Sequence, residues 1–148
     1  MSYVDRYKRA LALGAPKGFD RLEVKGMSPD EILMVERDQG VLLPCAYRDF
    51  LEVCGNSRGG VLDSEDIYYR DLIGIKDAAY EILQDGGDQI SLDDYVVFVM
   101  HQGYIFYCVK VGSPDPPVFG YSSMESGGLV PQEILLSEFI GKILAEGL

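Results

Sequence analysis

The chain has 148 residues, 47% of them hydrophobic, with a mean hydropathy of +0.03 and a formal net charge of −11. This length and composition fit one globular domain, which at this size buries about two-thirds of the surface of its unfolded chain. The N-terminus has no basic region followed by an apolar run, and no stretch approaches the roughly 18 apolar residues of a membrane helix. We therefore expect a soluble, cytoplasmic protein.

The first predicted helix covers residues 2–13. Ser2 can cap it, Val4, Tyr7 and Leu11 share one face, and the Gly14-Ala15-Pro16 run ends it. Residues 17–27 carry only a weak period-two pattern of apolar positions.

Two further helices are predicted over 29–39 and 44–54. Ser28 and Glu31 form a capping box, and Gly40 suits a left-handed helix end. Pro44 opens the next helix, and Gly55-Asn56 offers residues that tolerate positive φ where the chain leaves it. The apolar faces of the two helices predict core positions, namely Ile32, Val35 and Gln39, then Tyr47, Phe50, Leu51 and Cys54.

The middle of the chain mixes β-type and helical patterns. Residues 67–69 and 72–75 are apolar with β-branched and aromatic content, which suggests one or two short strands. Asp77 to Gln84 has helical spacing, with Gly86-Gly87 as its end.

Residues 95–111 give the clearest sheet signal, because two apolar runs flank His101-Gln102-Gly103. Both parities of each run are apolar, which predicts strands covered on both faces. Val118 to Tyr121 adds a third antiparallel strand, and a last amphipathic helix over 137–146 begins near Ser137.

Blocks of helices and strands without βαβ alternation indicate an α+β fold. We predict a single domain with a central, mostly antiparallel sheet, including a meander near 95–121. Helices 2–13, 29–39, 44–54 and 137–146 should cover this sheet.

The motifs of the central helices resemble a known family. Ser-Pro-x-Glu-Ile-x-x-x-Glu from Ser28, Leu-Pro-x-x-Tyr-x-x-Phe-Leu from Leu43 and the glycine-rich turn 55–60 are similar to the SUKH superfamily, which includes yeast cell-wall-assembly regulators and many small bacterial proteins. Residues 99–106 and 137–139 extend the likeness. It covers residues 27–148, and residues 1–26 form an N-terminal helix and extension.

Catalytic and metal-binding patterns are missing from the sequence. It contains no calcium loop, phosphate-binding loop, His-Glu-x-x-His or Gly-x-Ser-x-Gly motif. Cys108 should lie opposite Val97 if the hairpin turn pairs His101 with Tyr104, about 13 Å from that histidine and outside hydrogen-bond reach. The three cysteines lack metal-ligand spacing, and only Cys45 is expected to be accessible. We expect no enzyme activity and no cofactor or metal.

The negative charge is concentrated in one region. Residues 61–95 hold ten acidic and two basic side chains, whereas residues 1–60 are balanced. Such a field repels nucleic acid and anionic lipid, and it speeds association with a basic protein. We therefore expect a protein partner, and neither nucleic acid nor a membrane.

The resemblance implies that a bacterial member is an immunity protein, which binds and neutralises a cognate toxin, often a nuclease. A basic toxin domain would meet the acidic region, with carboxylates for steering and tyrosines as anchors. The expected contact residues are Asp63, Glu65, Asp66, Tyr68, Tyr69, Asp93 and Asp94.

Two other functions stay open on the sequence. The yeast relatives imply a regulatory or scaffolding domain that docks a housekeeping partner. A groove between helices and sheet could also bind a small molecule.

Overall fold

The structure is a computed structural model that describes residues 24–55, 57–58, 72–125 and 127–146, without the side chains of 24, 25, 54, 57, 58 and 143–146. Its helices are α1 (Pro29–Gln39), α2 (Cys45–Cys54), α3 (Ile75–Asp85) and α4 (Leu136–Glu146). Its strands are β1 (Val24–Lys25), β2 (Ser57–Arg58), β3 (Tyr95–His101), β4 (Ile105–Lys110), β5 (Pro117–Ser122) and β6 (Val130–Leu135).

Strands β3 to β6 form a four-stranded antiparallel meander in chain order, and β1 pairs with β2 in a separate two-stranded sheet. Helix α3 packs on β3, and α2 packs between α1 and α4. One hydrophobic core joins these elements. The predicted single-domain α+β fold with an antiparallel meander is confirmed.

Helix α1 has the predicted bounds and the predicted caps. The Glu31 N–H donates to Ser28 Oγ at 3.2 Å, and the Ser28 N–H donates to Glu31 Oε1 at 3.0 Å. Gly40 ends the helix with a φ of 75°, a conformation that glycine adopts without a steric penalty. The predicted core positions Ile32, Val35 and Gln39 are all buried.

Helix α2 carries the aromatic centre of the core. Tyr47, Phe50 and Leu51 are buried as predicted, and the Tyr47 ring meets Phe98 of β3 edge-on at 6.2 Å between centroids. Stacking and edge contacts of this kind stabilise the core beyond the effect of burying the rings.

The exit from α2 differs from the prediction at Gly55, and Asn56 lies outside the described residues. Gly55 has a φ of −66°, so its role is a close approach and not a positive φ. A Cβ there would lie 2.7 Å from the Leu51 carbonyl oxygen and 2.8 Å from Met27 Cγ. The Met27 N–H donates to the same Leu51 oxygen at 2.8 Å, so the chain before α1 rests on the end of α2.

The β3–β4 hairpin forms over the predicted residues with one change of register. His101 pairs with Ile105 and not with Tyr104, whereas Val97 pairs with Cys108 as predicted. A bulge at Phe98 absorbs the difference of one residue, because it places one extra residue on β3. The predicted coverage of both faces is confirmed for β3, whose five central residues are buried.

Strand β5 confirms the predicted third strand, but β6 was not predicted. Its register with β5 shifts by about two residues, since Pro117 pairs with Leu135 while Phe119 pairs with Pro131. Most of β6 is exposed, and Glu133 has a φ of 57°. Proline, a bulge and charge are common on edge strands, where they discourage pairing with other chains.

The predicted strand over 72–75 is wrong. Leu72 has helical backbone, Ile73 and Gly74 form a turn, and α3 begins at Ile75, two residues before its predicted start. The apolar side chains suit a buried helix start as well as a strand, and short apolar runs do not separate the two. The predicted helix 2–13 and strand 67–69 lie outside the described residues.

Helix α4 begins at Leu136, one residue before the predicted start. Its cap comes from the loop before β5, because the Ser137 N–H and Oγ–H donate to the two carboxylate oxygens of Asp115 at 2.9 and 2.6 Å. Phe139 and Ile140 are buried as predicted, and Phe139 packs edge-on against Phe98.

Candidate protein-interaction surface

Asp93 and Asp94 are the two predicted contact residues that the structure describes. Both side chains are exposed in the turn that leads into β3. The other five predicted contacts lie outside the described residues: Asp63, Glu65, Asp66, Tyr68 and Tyr69.

Lys76 lies near these two carboxylates, on the first turn of α3. It is 9% exposed, and its Nζ donates to the Gln39 carbonyl oxygen at the end of α1 at 2.8 Å. Burial lowers the pKa of Lys76, and the charges of Asp93 and Asp94 oppose that shift. A buried ammonium therefore lies beneath an acidic rim.

Gln39 connects this site to the sheet. Its side-chain Nε2 donates to the Val97 carbonyl at 2.8 Å, and the Val97 N–H donates to its Oε1 at 3.2 Å. The amide thus satisfies both backbone groups of a residue on β3, which is an edge strand of the sheet. Buried backbone groups without partners are costly, so this pair of bonds fixes the end of α1 against the sheet.

Tyr80 forms the wall of the site, one turn along α3 from Lys76. Its side chain is 37% exposed, and its Oη accepts a hydrogen bond from the Leu92 N–H at 2.8 Å. That bond restrains the ring against the loop before β3. An exposed aromatic ring with little remaining freedom is a favourable contact for a partner.

Residues of α1, α3 and the loop before β3 enclose a cleft of about 260 Å³. Tyr80 stands at one side of it. Three exposed carboxylates, one buried cation and the end of α1 complete the lining, which consists of Asp38, Asp77, Asp93, Lys76, Gln39 and Gly40. The cleft therefore has a net negative charge, and it is smaller than the roughly 300–1,000 Å³ of typical small-molecule pockets.

A second groove of about 600 Å³ also has Tyr80 in its lining. Gln84, Asp88 and Ser91 contribute to its lining, most of which is exposed or only half-buried. It has the volume of a small-molecule pocket, but it lacks the enclosed apolar walls that such sites use. The two cavities share Tyr80, and their lining includes four carboxylates, which form an acidic surface along α3: Asp38, Asp77, Asp88 and Asp93.

The titratable groups tested for catalysis are not brought together. Cys108 is buried, and burial raises the pKa of its thiol to about 12, which leaves it protonated at neutral pH. It pairs with Val97, whereas His101 ends β3 beside the turn. Cys45 is exposed as predicted. Among the described residues, no cluster of three His, Cys, Asp or Glu side chains could hold a metal ion.

Sequence reasoning missed Lys76, Tyr80 and Gln39 as parts of one site. Gln39 is a predicted core position, but its hydrogen-bond partner Val97 is 58 positions away in the sequence, where no local pattern points to it. Tyr80 occupies an outward position of a predicted helix, where an aromatic residue stands out as an exposed side chain. Apart from the regional acidity that predicts Asp93, the outward position of this aromatic residue is the sequence signal for the site.

Taken together, the described residues form an α+β domain with an acidic surface that includes the exposed Tyr80, and Cys108 and His101 lie at different positions of the β3–β4 pair. A comparison with protein-family models matches residues 26–138 to the SMI1 / KNR4 family (SUKH-1). Since the match spans most of the chain, the protein belongs to the SMI1/KNR4 family, and the predicted SUKH membership is confirmed. No curated protein matches the chain.

The helices also bear on the expectation that the chain contains no membrane helix. In the described part of the chain, none of them has both the length and the apolar character that a bilayer-crossing segment requires.

Proposed function

We propose that this protein is a non-enzymatic binding module that neutralises a cognate toxin by covering a basic surface of that toxin. Family membership supports a role in protein–protein interaction. The observation that carries the proposal is the acidic surface along α3. Asp38, Asp77, Asp88 and Asp93 line its two cavities, and Lys76, the one cation in that lining, is buried.

The charge suits such a partner for a physical reason. A nuclease binds phosphates through lysine and arginine, and an inhibitor can meet those side chains with carboxylates. The field of the acidic surface raises the rate of encounter with a basic domain, and Tyr80 offers an aromatic contact at its centre. Asp63, Glu65, Asp66, Tyr68 and Tyr69 remain part of the proposed contact surface, together with Asp93 and Asp94.

The partner can be sought in the neighbouring reading frames. A large secreted protein with a short basic C-terminal domain is the expected product there. Cells that express this domain alone should stop growing, and co-expression of the present chain should restore growth. If growth is not restored although both proteins are soluble, the proposal fails.

Charge reversal tests the surface. Asp93→Lys with Asp94→Lys should slow association with the toxin domain many-fold, as measured by stopped-flow fluorescence at low salt, because steering depends on the local field. Glu125→Lys with Glu133→Lys is the matched control, since it changes the net charge equally at two exposed positions in the β5–β6 region. Equal association rates for the two double variants would remove the acidic surface from the proposal.

A further inference from the structure

We propose that the cleft beside Tyr80 binds a single arginine side chain of the partner, with the guanidinium flat on the Tyr80 ring. This inference rests on the proposed function and names the group that the surface recognises. Its evidence is the arrangement of charge and aromatic surface within the cleft.

The rim of the cleft has carboxylate oxygens available for a cation. Asp38 Oδ2 accepts from the Gly74 N–H at 2.8 Å, which holds that side chain in place and leaves its second oxygen. Within the described residues, the carboxylates of Asp77 and Asp93 accept no hydrogen bond. A guanidinium has five N–H donors in a plane, so it can serve two carboxylates at once.

The floor of the cleft limits how deeply a cation can enter. Lys76 is buried there with its Nζ directed to the Gln39 backbone carbonyl, so its positive charge disfavours any cation that reaches the floor. A planar guanidinium can instead lie across the mouth of the cleft, on the aromatic wall. Arginine also stacks on aromatic faces and is more weakly hydrated than lysine, which reduces the cost of binding there.

The Tyr80 ring, which forms the wall, is already held in place by a hydrogen bond. The hydrogen bond from the Leu92 N–H to Tyr80 Oη fixes the ring, although 37% of the side chain is exposed. A ring that is already ordered loses little conformational entropy when a partner stacks on it. The volume of about 260 Å³ suits one long side chain better than a separate ligand.

The test uses a model compound, so it does not depend on the identity of the toxin. N-acetyl-arginine N-methylamide is titrated into the ¹⁵N-labelled protein and followed by NMR. Saturable shifts are expected at the amides of Asp77, Tyr80 and Asp93, with affinity several-fold higher than for the lysine analogue. Absence of saturable shifts at these amides, or equal affinity for both compounds, would overturn the proposal.

Matched variants sharpen the result. Asp77→Asn should weaken arginine binding several-fold, whereas Glu81→Gln removes the same charge from an exposed position of α3 outside the cleft lining and should change it little. Tyr80→Leu should abolish the preference for arginine over lysine. Equal effects of the two charge variants would reduce the cleft to a diffuse acidic field and overturn the proposal.

Failure of this inference can be told apart from failure of the proposed function. A protein that neutralises the toxin equally well with Tyr80 or with leucine at that position keeps the proposed function and loses the arginine site. A protein that binds the arginine compound in the cleft but does not bind the toxin loses the proposed function alone.

Discussion

Single residues connect the elements of this domain through buried polar contacts. Gln39 is 2% exposed, and its side-chain amide hydrogen-bonds to both the N–H and the C=O of Val97. The backbone carbonyl oxygen of Gln39 accepts a hydrogen bond from Lys76 Nζ. A polar side chain at a core position is tolerated when its donor and its acceptor atom each keep a hydrogen-bond partner, as Nε2 and Oε1 of Gln39 do. The same contacts place Lys76 beneath the acidic cleft.

Replacement of Gln39 by methionine keeps the length of the side chain and removes its amide. The Val97 N–H and C=O then lack partners, and each unsatisfied buried group costs about 1–3 kcal/mol. We expect Gln39→Met to lower the free energy of unfolding by roughly 2 kcal/mol or more, measured by urea denaturation. Gln84→Met, at an exposed position of α3, is the control and should have little effect. Equal stability of the two variants would contradict the role given to Gln39.

Tyr121 gives a prediction about alkaline pH. Its buried Oη–H donates to Asp88 Oδ2 at 2.6 Å. Burial, with help from Asp88, raises the pKa of Tyr121 from 10.0 to about 12. The folded state therefore holds this proton where the unfolded chain releases it, so the contribution is complete below about pH 10 and is lost as the pH rises toward 12.

The expected measurement is the free energy of unfolding against pH. It should fall above about pH 9, because the pKa of the Cys108 thiol is raised from 9.0 to about 12 and acts with the same sign. Tyr121→Phe should be less stable at neutral pH, since it loses the hydrogen bond, but it should lose stability less steeply above about pH 10. Parallel curves for the variant and the original protein would refute this linkage.

At the scale of elements, the starts of α1 and α4 are fixed in different ways. Helix α1 is capped by its own Ser28 and Glu31, a local signal that the sequence displays. Helix α4 is capped by Asp115, 22 positions before Ser137, and no local pattern predicts that pairing. Strand β6 also escaped prediction, because Pro131 and exposed polar residues hide the pattern of an edge strand.

The distant cap can be tested by mutation. Asp115→Ala removes the acceptor for both the N–H and the hydroxyl of Ser137, so we expect a loss of about 1–2 kcal/mol in the free energy of unfolding. Ser137→Ala removes only the hydroxyl bond and should cost less. The double variant should lose less free energy of unfolding than the sum of the two single variants, because both remove the same bond between the Ser137 hydroxyl and Asp115. Strict additivity in chemical denaturation would show that the bond between the Ser137 hydroxyl and Asp115 contributes nothing.

On the scale of the whole molecule, a net charge of −11 opposes compaction. The repulsion is strongest where the acids are concentrated, in residues 61–95. At 0.1 M salt, interactions between exposed charges more than roughly 10 Å apart are largely screened. Salt should therefore weaken this repulsion more than it weakens the Glu36–Arg48 ion pair, because the Glu36 side chain is largely buried.

We therefore expect the free energy of unfolding at neutral pH to rise on addition of moderate sodium chloride, measured by thermal or urea denaturation. Glu125→Lys with Glu133→Lys reduces the net charge and should flatten this dependence. A stability that is unchanged or lower in salt would contradict the view that self-repulsion limits this fold.

The sequence by itself determined the features that depend on neighbours a few residues apart. These include the capping box and glycine end of α1, the buried face of α2 and the hairpin of β3 and β4, since such interactions lie within one or two turns or across one tight turn. Tertiary structure decided the features that need distant partners. Gln39 meets Val97 across 58 positions, Asp115 caps a helix 22 positions later, and Tyr80 and Asp93 line one cleft with Lys76 beneath them. Which outward side chains meet at one surface follows from how the elements pack, and no local pattern encodes that packing.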